Sequence, residues 1–141
     1  MSAQAIKNIV PAIYAALNVS ALQSLIASYG AGYAIFTGRV VPTNATKPFI
    51  HIRPNMALSE FDCKQVSGWE YEFEVVIIND EPESTKNHDI IVDKVLELLD
   101  DVSLSITGAN HVLTHCVGLL PAQVSDDLVG SVLRFRTTIN N

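Results

Sequence analysis

Residues 68–80, GWEYEFEVVIIND, constrain this chain more than any other stretch because their polarity alternates with period two. Side chains of a strand point alternately to its two faces. Trp69, Tyr71, Phe73, Val75 and Ile77 therefore share one face, and Glu70, Glu72, Glu74, Val76 and Ile78 share the other. The first face is core. The second is charged along half its length and apolar along the rest, so its apolar half needs a cover. Either an adjoining subunit or a helix of the same chain supplies it.

The final segment, LVGSVLRFRTTIN, has the complementary pattern, with Gly130, Val132, Arg134 and Arg136 on one face. Antiparallel pairing would set Glu72 or Glu74 near Arg134 and Arg136, and Val76 and Ile78 near Val132 and Gly130. Cross-strand pairs of this kind contribute roughly 0.2–1 kcal/mol each and help to fix register. The glutamate row reads as a solvated ion-pair face rather than a metal site. Carboxylates on one strand face are spaced about 6.5–7 Å apart per step, so three of them do not converge on one cation. Oxygen-rich sites draw their ligands from loops that can wrap.

Elsewhere Ile6, Ile9, Val10, Ile13 and Leu17 recur at helical spacing, and proline is tolerated in a first turn, which starts the packed helix near Asn8 or kinks a longer one at Pro11. SALQSLIASYG reads as a second helix, opened by Ser20 and Gln23 in capping-box spacing and closed at Gly30. YAIFTGRVV and PFIHIRPN read as strands separated by the turn-rich PTNATKP. FDCKQVSG reads as a loop long enough to move. In KNHDIIVDKVLELLDD, Ile91, Val95, Leu98 and Leu99 line one stripe of a helix, with His88 exposed in its first turn. ANHVLTHCVGLLP and DLVGSVLRFRTTIN supply two more strands across the turn signal PAQVSDD.

The expected fold is a single α+β domain over residues 1–141. It has a mostly antiparallel four- to five-stranded sheet packed with an N-terminal helical arm and one long helix. The length of 141 residues suits one core. A 48% hydrophobic composition and a mean hydropathy of +0.25 leave apolar surface to meet other subunits. The net charge of −6, with nine scattered basic residues, argues against a nucleic-acid or membrane-surface binder. Cys63 and Cys116 make no disulfide framework. The N-terminus lacks a basic segment followed by a clean apolar run, and no apolar run approaches the roughly 20 residues of a membrane helix. These features predict a soluble protein made in the cytosol.

Candidate chemistry is sparse. His111, His115 and Cys116 fall on a strand, where the two histidines lie about 13 Å apart and Cys116 faces away from His115, so they cannot share a zinc. His51 and Arg53 alternate with Ile50 and Ile52, the pattern of a half-buried strand. They are also the residues a small-molecule pocket would use. No phosphate-binding glycine loop, nucleophile elbow or paired-histidine helix occurs. No catalytic residue, metal or cofactor is assigned.

The order IYAALN…LQSLIASYGAGYAIFTGRVVP, KPFIHIRP, WEYEFEVVIIND, NHDIIVDKVLELLDD and LRFRTTI resembles the tail-completion or tail-terminator proteins of long-tailed bacteriophages and gene-transfer particles. That resemblance implies a non-enzymatic virion assembly protein. It would form a ring, usually a hexamer, on the head-proximal end of the tail tube, stop tube growth and mediate head–tail joining. Its partners would be further copies of itself, the tube protein and the head connector or head-completion protein. Its place would be the neck of the virion tail, after assembly in the host cytoplasm. Rival readings are a neighbouring head-completion or minor tail protein and a small-molecule-binding module or enzyme.

Within the ring reading, Val76, Ile78 and Val132 are the expected subunit or tail interface, with Phe61 and Lys64 in a mobile loop and PTNATKP as a second mobile contact. Six copies at −6 each bring roughly −36 to a ring that DNA crosses only in passage, and acidic walls repel phosphates. Asp80, Glu81, Glu83, Asp100 and Asp101 are the candidates for that lumen.

Overall fold

Residues 68–79 run through the middle strand of a five-stranded sheet in the computed structural model, which describes residues 7–38, 40–63, 66–80, 86–109, 111–125 and 128–140. The helices are α1 (Ile9–Leu17), α2 (Ser20–Gln23) and α3 (Lys86–Leu99). The strands are β1 (Ser28–Tyr29), β2 (Gly32–Tyr33), β3 (Ile35–Thr37), β4 (Phe49–Cys63), β5 (Val66–Asn79), β6 (His111–Ser125) and β7 (Leu128–Asn140). β1 and β2 form a small hairpin, and the large sheet has the order β3-β4-β5-β7-β6. β3 runs parallel to β4 while the other neighbours are antiparallel. The fold is α+β on a mixed sheet.

One face of the sheet is the core. Ile9, Ile13 and Leu17 of α1 and Ile91, Val92, Val95 and Leu99 of α3 join Ile50 and Ile52 of β4, Tyr71, Phe73, Val75 and Ile77 of β5, and Leu133, Phe135 and Ile139 of β7. Phe73 and Phe135 face each other in register and stack with ring centroids 5.3 Å apart. α1 starts just after Asn8 and holds Pro11 in its first turn, where a missing N–H breaks no intrahelical bond. The helices lie on this face. Among the described residues, no helix covers the apolar half of the other face.

Several local expectations are corrected. The second helix is a single turn, its N-cap is Val19 rather than Ser20, and Gln23 Nε2 donates to Asn18 Oδ1 at 2.9 Å instead of closing a capping box. Beyond it the chain bonds to the sheet, Ala27 N–H donating to the Pro48 carbonyl. Gly30, at φ +58°, turns the β1–β2 hairpin instead of ending a helix. FDCKQVSG is not a loop where it is described, because Phe61 pairs with Gly68, Asp62 with Ser67 and Cys63 with Val66. Ladder bonding outweighs the polar composition there. Lys64 lies outside the described residues. PTNATKP is tied down, with Thr46 Oγ1 donating to the Ser28 carbonyl at 2.6 Å and Tyr29 Oη to Asn44 Oδ1 at 3.0 Å.

Pro121 was expected in a turn, yet it lies inside β6 opposite Ser131. β6 is an edge strand, where proline is tolerated because the outer row of N–H groups has no ladder partner to lose. Pro54 sits in the more central β4, at a register shift between Arg53 and Ala57 that absorbs its missing donor. Among the described residues no helix is long and apolar enough to cross a membrane.

Candidate assembly surface

The sheet face turned away from the helices is ordered in rows by strand register. Arg53, Glu74, Arg134 and Gly118 form one row across β4, β5, β7 and β6. Glu72, Arg136 and His115 continue the next. On the other side lie His51, Val76, Val132 and Leu120, and beyond them Phe49, Ile78 and Gly130. The charged half and the apolar half are thus neighbouring bands of one surface.

The ion pairs differ in character. Arg136 donates to Glu72 Oε1 through Nη2 at 2.8 Å and Nε at 3.2 Å. Its hydrogen bond and charge interaction with Glu72 raise the guanidinium further above its ordinary value. Glu74 is 6% exposed and lies 3.9 Å from Arg53 and 3.8 Å from Arg134. Those separations are ionic contacts beyond hydrogen-bond length.

In the apolar band Ile78 is 6% exposed while Val76 and Val132 are half-buried. His51 is buried as well, its Nε2 lying 2.7 Å from the Gly38 carbonyl, so the connection after β3 reaches this face and serves His51 structurally. On the edge strand β6, Val117, Leu119 and Leu120 are 48%, 54% and 49% exposed, with Leu120 on this face opposite Val132 and Leu119 on the helix side opposite Leu133. The sequence places Leu119 and Leu120 on a strand, but only the edge position of β6 in the sheet exposes them. Their signal was the unbroken VGLLP run itself. Phe61 stands opposite Gly68, away from the apolar band along the strand.

The acidic candidates are dispersed. Asp80 is exposed after β5, its N–H donating to Asn79 Oδ1 at 2.7 Å, and Glu81 and Glu83 lie outside the described residues. Asp100 Oδ1 accepts the Cys116 N–H at 2.7 Å. Asp101 Oδ1 lies 2.7 Å from His115 Nδ1. These contacts, with the Val102–Thr114 bridge, pin the end of α3 to the outer edge of β6. Asp100, Asp101 and His115 bring ligand atoms within 4.8 Å of one another, but the hydrogen bonds already use one oxygen of each carboxylate and one imidazole nitrogen. Cys116 stands opposite Phe135 on the core face, while His115 stands opposite Arg136.

His88, expected to be exposed, is 3% exposed, with Nε2 2.8 Å from Ser131 Oγ and Nδ1 buried without a partner. Burial lowers its pKa, against the opposing influence of Asp89. Two clefts flank the helices. One of about 290 Å³ is bordered by Ser24, Asn79, Asn87 and Ile90, and one of about 300 Å³ by Val10, Pro11, Tyr14 and Thr37. Neither is lined by His51 or Arg53.

No protein-family profile and no curated protein matches this chain. Among solved structures it is similar to a chain of the virion of a native gene transfer agent particle, with a TM-score of 0.79 and 18% identity over 99% of this chain and 100% of that one. A second solved chain is similar at a TM-score of 0.61 and 10% identity, over 94% of each. At these identities the likeness establishes the fold.

Proposed function

We propose that this chain is a structural virion protein of the tail-terminator type. It forms a ring, a hexamer by resemblance, on the head-proximal end of a tail tube, ends tube polymerisation and joins the tail to the head connector. The observation that supports this reading is the end-to-end fold similarity to a chain of a gene transfer agent virion. The segment order of the sequence points to the same class. The surface is compatible with assembly, since the edge strand β6 exposes Val117, Leu119 and Leu120, Leu120 on the outer face opposite Val132 and Leu119 on the helix side opposite Leu133, and exposed apolar residues at a sheet edge suit a contact with another chain. The role is structural, and DNA meets the ring only in passage.

The test is electron microscopy of lysates from a particle-producing strain lacking this gene. Overlong tubes beside separate filled heads are the expected result. Tails of normal length that fail to join would move the role to head completion, and wholly normal particles would remove the assembly reading.

A further inference from the structure

Arg53, Arg134 and Arg136 are three of the four arginines of a chain whose net charge is −6, and all three stand on the sheet face away from the helices. Glu74 sits between Arg53 and Arg134 with its side chain 8% exposed, against 50% and 51% for theirs. One recessed carboxylate thus faces two exposed guanidiniums at distances too long to engage their N–H donors. That row carries one net positive charge, beside the neutral Glu72–Arg136 pair and with Glu70 farther along the same face. It borders the apolar row of Leu120, Val132 and Val76. An apolar centre edged by arginine is the anatomy of a protein interface.

The opposite layer of the molecule carries the complement. Asp89, Asp93 and Glu97 follow one another at i, i+4 spacing on α3, and all three are exposed. At helical rise they stand about 6 Å apart, a stripe about 12 Å long. Lys94 pairs with Glu97 at 2.8 Å, at the C-terminal end of the stripe. Arg53 and Arg134 are two strand spacings apart, about 10 Å. The two patches are opposite in sign and similar in length.

We infer that the Arg53–Glu74–Arg134 row of one copy, with Leu120 beside it, docks on the Asp89–Asp93–Glu97 stripe of a second copy. The inference rests on the ring-forming role proposed above and names the surfaces that close the ring. Each copy uses two different patches, so the contact is heterologous and propagates head to tail until rotation closes it. Opposite charges across the contact also disfavour the face-to-face and stripe-to-stripe pairings, which bring like charges together.

Two variants isolate the patches, Asp89→Lys with Asp93→Lys on the stripe and Leu120→Asp on the sheet side, all at exposed positions. Circular dichroism melting verifies that both fold. In sedimentation velocity the unmodified chain forms closed rings, whereas each variant alone stays monomeric, with association weakened at least about tenfold. A mixture of the two variants gives one-to-one dimers that grow no further, because each variant retains the patch the other lacks. Rings from either variant alone, or no dimer in the mixture, would overturn the docking inference while leaving the ring-forming role standing. An unmodified chain that stays monomeric both in solution and on isolated tube ends would overturn both.

Discussion

Thr114 and Thr137 face each other across β6 and β7, both fully buried, with their hydroxyls hydrogen-bonded to one another. Replacing one partner strands the other hydroxyl, so Thr114→Val is expected to cost about 1–3 kcal/mol. The double change Thr114→Val with Thr137→Val removes both polar groups at nearly constant shape and recovers most of that loss. Urea unfolding of the four proteins of this cycle measures the asymmetry. His88 is the other buried polar group with a measurable consequence. Its folded pKa lies below the ordinary 6.5 because burial penalises the charged ring. The unfolded chain therefore binds more protons as pH falls through about 6.5, and stability present above that value is lost toward the lower folded pKa. Thermal or urea unfolding between about pH 8 and pH 5 should show that loss, and His88→Gln should flatten it. An unchanged slope in the variant would assign the acid sensitivity to other groups. Neither site was legible in the sequence. His88 and Thr114 look like surface residues of their elements, and only the packing of α3 on β7 and of β6 beside β7 encloses them.

The elements themselves were largely legible. The paired patterns of residues 68–80 and 128–140 led to an antiparallel partnership, and in the structure Glu72 stands opposite Arg136 and Glu74 opposite Arg134. Periodicity sufficed because a one-residue slip would turn Phe73 and Phe135 out of the core. The Glu72–Arg136 contact is partly exposed, so a double-mutant cycle with Glu72→Gln and Arg136→Gln should give a coupling of about 0.2–1 kcal/mol, reduced at high salt. Zero coupling at low salt would mean that apolar pairing alone sets the register. Element ends were less legible. Turn-forming residues at Gly68 and Pro121 suggested boundaries, but the ladders run through both. Local turn chemistry loses where each added residue completes another pair of backbone bonds. The one-turn α2 errs in the other direction, because Leu22 and Ile26 bury in the core while Ala27 bonds to Pro48.

On the scale of the whole molecule, acidic charge around the proposed ring is expected to ease the passage of DNA by repelling its phosphates. Asp80→Lys with Glu81→Lys and Glu83→Lys should slow DNA ejection several-fold while tail length stays normal. Ejection at the unmodified rate would defeat the lumen role of these acidic residues. Asp100 is unsuited to this test, since its carboxylate accepts the Cys116 N–H and its reversal would loosen α3 from β6. The sequence by itself determined the α+β class, the core faces of the central strand and long helix, and the division of the outer face into charged and apolar halves. Each follows from the spacing of apolar side chains along one element. Tertiary structure alone decided that β3 runs parallel to β4, that the helices leave the outer face uncovered, and that Leu119 and Leu120 lie at an exposed edge. The physical reason is that spacing reports which side of an element avoids water, whereas the neighbour that covers that side is set by how distant elements pack.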